Sequence, residues 1–468
     1  MGFSKWTLVH LLLGLSISAP SAGQSLLQPL LAPVMDEVLD LPAIAGSVLG
    51  GAAPLVGELN PLLQTALLQN NLTQLSSDIF TKLTGLAGVL LKPVLPVPPI
   101  LRPDTEAPKF GFNGEAHEVT TSDGYILTFF RVRNTSCSEY LAVVVLPPGI
   151  LSNAASFIFL KENSLVYKLA RQCYDVWLLT FRGYLFGRNH TTLSVNSAQF
   201  WDFYPYHWGA YDLPVQLEYV VNKTGSTKLR LMGVDQGGTA FFFMNHVHGP
   251  RYQRYVAGCY FWGPIGYLGH LSSLAFAAAA LLRDVLTAVG ATVLHNELVL
   301  FNPAVHSVVY NLCGRVSPLT CFYLFQILSG KSDEINYKLF PYMFANLLDS
   351  TSIYTVIYYL QQVGRFKYMA YLDYGKIENL KRYNQSTPVL VNLKATTALC
   401  AFYPLGRGTV VVTQDVLDTF RALSPSAQHV FKVLEKYNNV SPLFAIDTEG
   451  IYGPPMTQML ADIKQMQG

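Results

Sequence analysis

The apolar rhythm of this chain changes once along its length. Residues 24–105 are rich in Leu and Pro and carry few charges. Within them Leu68, Leu72, Leu75, Ile79, Leu83, Leu86 and Leu90 recur at steps of 4, 3, 4, 4, 3 and 4, the spacing that lines one face of an α-helix. Asn60-Pro61 supplies an N-cap and a first helical residue, and Lys92-Pro93 supplies a stop. The stripe predicts a helix over 60–91 that packs on the main domain or docks on a protein partner. From Ala107 onward short apolar runs alternate with helical patterns. Strands are expected at 126–132, 140–146, 176–180, 229–234 and 255–261, and again at 388–393 and 398–403. Such alternation builds a mostly parallel sheet with helices on both faces. Residues 272–371 read as mainly helical, and a last helix is expected from about Pro455. The chain therefore divides into 1–23, an extension 24–105, a core 106–271, a helical cap insert 272–385 and a returning core 386–468.

Composition narrows the function classes. Of 468 residues only 13% are charged, with 32 Lys and Arg against 30 Asp and Glu, where roughly 25% is usual. An apolar, weakly charged chain is not disordered. It also lacks the excess of cations that nucleic acid demands. The uncharged run 255–282 is broken by Gly263, Pro264, Gly266 and Gly269 and contains His270. It reads as a strand, a turn and a helix start, not as a membrane span.

The N-terminus carries Lys5, an apolar stretch from Trp6 to Ile17 and small residues to Gly23, the pattern of a secretory signal peptide. Six N-x-[ST] sequons follow, at Asn71, Asn134, Asn189, Asn222, Asn384 and Asn439, the last weakened by Pro442. Secretion, in preference to the lysosomal lumen, is the expectation. The six cysteines fit no zinc template, and neither metal nor cofactor is implied. Cys313 and Cys321 are the closest pair and the favoured disulfide in an oxidising compartment. Cys137, Cys173, Cys259 and Cys400 stay unassigned.

The run Leu229-Arg-Leu-Met-Gly-Val-Asp-Gln-Gly-Gly238 carries the candidate chemistry. A strand enters G-x-D-x-G and then a helix, the layout of a nucleophile elbow with Asp235 where Ser is usual. With the blocks Tyr174–Leu178, Arg182-Gly183, His190–Ser194, Phe200–Phe203, Tyr211–Pro214, Asn222–Gly225 and Asp373–Asn379, the chain resembles the acid lipases, the gastric and lysosomal type of α/β-hydrolase. The resemblance covers roughly Phe110 to Gly453. It implies an α/β-hydrolase fold with a cap, a lipid-ester hydrolase lineage and a disulfide in the cap.

The same resemblance implies a Ser–acid–His triad, and this chain departs from it at each position. The nucleophile position is Asp235. The acid position falls on Arg407 or Gly408, and the His position on Asp447. Pro148 replaces the His of the oxyanion loop. Backbone donors for an oxyanion hole are expected at Ile150 and Gln236. The expected function is a secreted, hydrolysis-deficient protein that binds a lipid or acyl chain, or a protein through the 60–91 helix. One alternative is a lipid-ester hydrolase with Asp235 as nucleophile, which lacks a histidine after His429, itself read as helical. A structural or storage role is the second alternative.

Overall fold

Strand sequences such as Val143-Val-Val-Leu146 and Leu229–Val234 have no polar face to show to water, so both sides must be covered. The computed structural model describes residues 100–273 and 349–467, and between them 280, 296–298, 310, 322, 326, 329–340 and 346. The expected signal peptide, the 60–91 helix, Asn71 and the Cys313–Cys321 pair lie outside the described residues. The chain divides into two compact units, 97–306 with 321–468 and 1–96 with 307–320. Every described residue except Tyr310 belongs to the first unit, and the fold below is that unit's alone.

Eight strands form its central sheet: β1 (Asn113–Thr120), β2 (Tyr125–Arg133), β3 (Val143–Leu146), β4 (Asp175–Leu178), β5 (Leu229–Val234), β6 (Val256–Trp262), β7 (Cys400–Tyr403) and β8 (Gln428–Phe431). Their order is β1-β2-β4-β3-β5-β6-β7-β8, with the two-residue strand Asn189–His190 beside β2. β1 and β2 pair antiparallel, as do β2 and β4, and all later pairings are parallel. Every residue of β3, β4, β5 and β7 is buried. Helices α1 (Leu165–Arg171), α2 (Leu213–Thr224), α3 (Gln236–His248), α4 (Ile353–Gln362), α5 (Lys376–Tyr383), α6 (Thr413–Ala422) and α7 (Thr448–Gln467) accompany it. None of the described helices is long and apolar enough to cross a membrane.

Buried charge is concentrated at Arg182. Its Nε and Nη2 donate to Asp212 Oδ1 at 2.8 and 2.7 Å, and its Nη1 and Nη2 donate to Asp123 at 2.6 and 2.9 Å. The guanidinium lies 4.0 Å from the ring centre of Tyr125. Burial works against its charge, but the two carboxylates outweigh it and raise its pKa. The expected block at 182 thus ties the turn before β2 to the start of α2.

Three expectations are corrected. The segment 388–393 is no strand. It makes one bridge, Ala370 to Leu390, flanked by Tyr371 N–H to Val389 O and Val391 N–H to Met369 O, and then enters a 3-10 turn. His429 lies in β8, not in a helix. The last helix begins at Thr448 and carries Pro454 and Pro455 inside it. Pro455 has no N–H to give Ile451 O, and Trp262 Nε1–H donates to that carbonyl instead, at 2.9 Å. The four unassigned cysteines pair as Cys137–Cys173 and Cys259–Cys400, the second joining residues in register on β6 and β7.

Arg182→Leu should cost about 3–5 kcal/mol in urea unfolding, because Asp212 would be left buried and unpaired. Adding Asp212→Leu should recover part of that loss. Additive losses would show that the ion pair is not what holds this junction.

Candidate functional site

The site begins where β5 ends. Asp235 sits between strand and helix at φ 33° and ψ −100°, a backbone state that a residue with a Cβ adopts only under constraint. Close packing supplies the constraint. A Cβ on Gly233 or Gly237 would come within 3.0 or 2.9 Å of Pro147 Cγ, and one on Gly238 within 2.4 Å of Pro264 Cβ. The Asp235 carbonyl accepts from Gly238 N–H and Ile265 N–H, both at 3.1 Å. The turn is therefore pinned from the helix side and from the loop after β6.

The side chain points back at the two donors expected for an oxyanion hole. Gln236 N–H donates to Asp235 Oδ1 at 3.2 Å, and the Ile150 N–H lies close enough to favour the charged carboxylate. Burial pushes the carboxyl pKa up to about 7, and the two N–H groups offset only part of that. Gln236 Nε2 donates to Gly149 O at 2.7 Å and to Tyr184 Oη at 2.6 Å. That clamp fixes the loop against α3.

A second buried carboxyl holds the same loop from the other side. Asp349 Oδ2 accepts from Asn153 Nδ2 at 3.0 Å and from Leu185 N–H at 2.8 Å, while its own N–H donates to Leu151 O at 3.1 Å. Leu151 has φ 51°. Burial pushes Asp349 up to about 7 as well. No motif in the sequence marked Asp349. Its signal is spatial, since residues 198 positions apart meet only in the fold.

Asp235 opens onto a cavity of about 230 Å³. Its described lining is almost wholly apolar and includes Ile150, Leu151, Val234, Leu268, Val411 and Leu443. Tyr359 and Val363, within and just after α4, close one side. No histidine is among the described lining residues. Phe241, Phe242 and Phe243 are all buried in the core and absent from this lining.

The other two expected triad positions lie outside the described lining, and both contact Tyr437, one at its backbone and one at its hydroxyl. Arg407 N–H donates to Tyr437 O at 2.9 Å, and Tyr437 Oη donates to Asp447 Oδ2 at 3.0 Å. Asp447 is bound by Lys436 Nζ at 2.7 Å and by Gly450 N–H at 2.8 Å, and Lys436 above all holds its carboxyl down at about 2. The Arg407 guanidinium faces Asp333 at 3.9 Å. Gly408 packs on Asn439, whose Oδ1 accepts from Thr409 and Val410 N–H at 3.0 Å each and whose Nδ2 donates to Val411 O. The amide of this sequon is thus turned into the protein, whereas Asn189, Asn222 and Asn384 are exposed and Asn134 is half-buried.

Two His–carboxylate pairs went unnoticed in the sequence. His270 Nδ1 lies 2.7 Å from Asp415 Oδ1, which also accepts from Gly269 and His270 N–H. Leu268 and Leu271 line the cavity, and His270 does not. His429 Nε2 lies 2.9 Å from Asp462, which also accepts from Tyr260 Oη. Among the described residues no group of three or more His, Cys, Asp or Glu could hold a metal ion.

Asp235 and Asp349 each keep a proton in the folded protein at pH values where the unfolded chain has released it. Stability is therefore lost as pH rises from about 4 toward about 7, by up to ~4 kcal/mol for each group. Asp235→Asn should match wild type near pH 4 and exceed it by a few kcal/mol near pH 8 in urea unfolding. Parallel pH curves for the two proteins would show that Asp235 is ionised throughout.

A family model described as a partial α/β-hydrolase lipase region matches residues 106–161, and one described as the α/β hydrolase fold matches 142–391. Lipase 1 of Drosophila melanogaster is 28% identical over 359 residues, 76% of this chain and 79% of the relative. Gastric triacylglycerol lipase of Homo sapiens is 28% identical over 370 residues, 76% and 90%. Lipase member K of Mus musculus is 27% identical over 354 residues, 74% and 87%. Among solved structures, a soluble variant of monoglyceride lipase from Saccharomyces cerevisiae aligns with a TM-score of 0.47 at 13% identity, over 75% of this chain and 95% of that one. With the family model that matches 142–391, its strand order and its elbow, the chain belongs to the α/β-hydrolase fold family, with gastric lipases among its relatives.

Proposed function

We propose that this protein is a secreted member of the acid-lipase group that holds a lipid chain in its cavity without hydrolysing an ester. The observation that carries the reading is the state of Asp235. Its carboxyl accepts from Gln236 N–H and lies beside Ile150 N–H, the two groups an ester oxyanion would need. Ester hydrolysis also needs a base held by an acid, and the residues at those positions are Asp447 and either Arg407 or Gly408. The lipid side of the reading rests on the apolar cavity and on relatives named as lipases. A protein partner at residues 60–91 remains part of the proposal only as the sequence suggested it. The active alternative, Asp235 as nucleophile, would displace the alcohol from a lipid ester and form an acyl anhydride that water must open. A histidine at the cavity is what that step lacks among the described residues.

The test is turnover of a long-chain acyl ester by the purified full-length protein at acid and neutral pH, beside Asp235→Asn. Wild type should release no more acid than the variant. Repeated turnover by wild type alone would overturn the reading. Glycan mapping of the secreted protein tests its compartment: sugar should be found on the exposed Asn189, Asn222 and Asn384, and none on Asn439. A protein that fails to leave the cell, or a glycan on Asn439, would contradict this.

A further inference from the structure

The proposal that the cavity holds a lipid leaves the head group open, and the geometry at Asp235 narrows it. In a working esterase the two backbone N–H groups at this place face a carbonyl oxygen. Here they face the carboxyl of Asp235. Any oxygen that needs donors, whether an ester carbonyl or a fatty-acid carboxylate, would have to displace that carboxyl into an apolar cavity. A group that brings its own donor would not. The Asp235 carboxyl has acceptor lone pairs beyond the two used by N–H groups.

The polar side chains among the described lining residues are already engaged, Ser329 Oγ accepting from Asn438 Nδ2 at 3.2 Å. Ser152 Oγ donates to Gly149 O at 3.0 Å, and Asn439 is occupied by the loop that it holds. Tyr359 Oη faces Thr239 Oγ1 at 3.4 Å. No Lys, Arg or His is among the described lining residues, so among these a carboxylate would meet the Asp235 carboxyl and no cation. The titratable groups that sense Asp235 are the phenols of Tyr184 and Tyr359, both raised chiefly by burial. An amine head would leave a desolvated cation with a single counter-charge. The size fits one chain. At about 230 Å³ the cavity exceeds the roughly 150 Å³ that takes benzene, and it falls short of the ~300–1,000 Å³ of sites for drug-sized ligands.

Resting on the lipid-binding reading above, we propose that this site selects a single-chain amphiphile with a neutral hydroxyl head, given as a donor to Asp235, and rejects the matching carboxylate. The selectivity is the reverse of what two free oxyanion donors would give.

The experiment is calorimetric titration of the full-length protein near pH 8 with decan-1-ol, decanoate and decylamine, in wild type, Asp235→Asn and Asp235→Gly. Glycine suits the positive φ at this position, so that variant tests the chemistry without added backbone strain. Wild type should bind the alcohol at least about tenfold more tightly than decanoate or decylamine. Asp235→Asn should narrow the gap between alcohol and decanoate. Asp235→Gly should reverse it by freeing both N–H groups for decanoate, a gain that misfolding cannot produce. Wild type that prefers decanoate or decylamine, or variants that leave the ranking unchanged, would overturn the head-group assignment while sparing the lipid-binding reading. No binding by any of the three would overturn both.

Discussion

A residue with a Cβ held at φ 33° on the turn between β5 and α3 is the constraint on which this site depends. Such a turn exists only because Gly233 and Gly237 let it close on Pro147, and because Gly238 and Ile265 take the Asp235 carbonyl. Backbone strain of order 1–3 kcal/mol persists where the surroundings over-determine it. In a hydrolase that strain presents a nucleophile. Here the same strain presents a carboxyl, and the oxyanion-hole donors bind it. The scaffold of catalysis is kept, and one of its own side chains fills it.

That view accounts for the other altered positions. On the proposed reading the donors are occupied, and a histidine and its acid would have nothing to activate. Asp447 and Arg407 each contact Tyr437, at its hydroxyl and at its backbone carbonyl. They now act as surface charges, joined to Lys436 and Asp333. The loops around the elbow are held as firmly as an active site requires. Gln236 clamps Gly149, Asp349 clamps Leu151 and Asn153, and Asn439 clamps Thr409 to Val411. A ligand site needs the same rigidity for a different reason, since ordering the lining beforehand lowers the entropy lost on binding.

Much of the fold could be read from the sequence because the signal was local. The run Leu229–Val234 forms a strand over the predicted residues, and β2, β4, β6 and β7 fall within a few residues of their apolar runs. The elbow, Ile150 and Gln236 could be found because a glycine pattern marks a steric need. What escaped is what depends on meeting in space. Asp349 shares no motif with Leu151. Cys259 and Cys400 are 141 residues apart and meet only as neighbours in register. Pro454 and Pro455 read as a helix start because a local rule cannot foresee Trp262 covering the carbonyl that Pro455 leaves bare. The inward turn of Asn439 likewise follows from the loop it packs against and not from its sequon.

The central claim is that Asp235 binds its own oxyanion donors and attacks nothing. The most direct measurement incubates the protein with a long-chain acyl ester in heavy-oxygen water and then analyses the released fatty acid and the peptide carrying Asp235 by mass spectrometry. The account predicts no heavy oxygen in the peptide or in the acid beyond the level found with Asp235→Asn. Heavy oxygen in the peptide in wild type alone would mean that water opens a covalent intermediate on Asp235, heavy oxygen in the acid alone would mean ester hydrolysis that depends on Asp235, and either result would contradict the account.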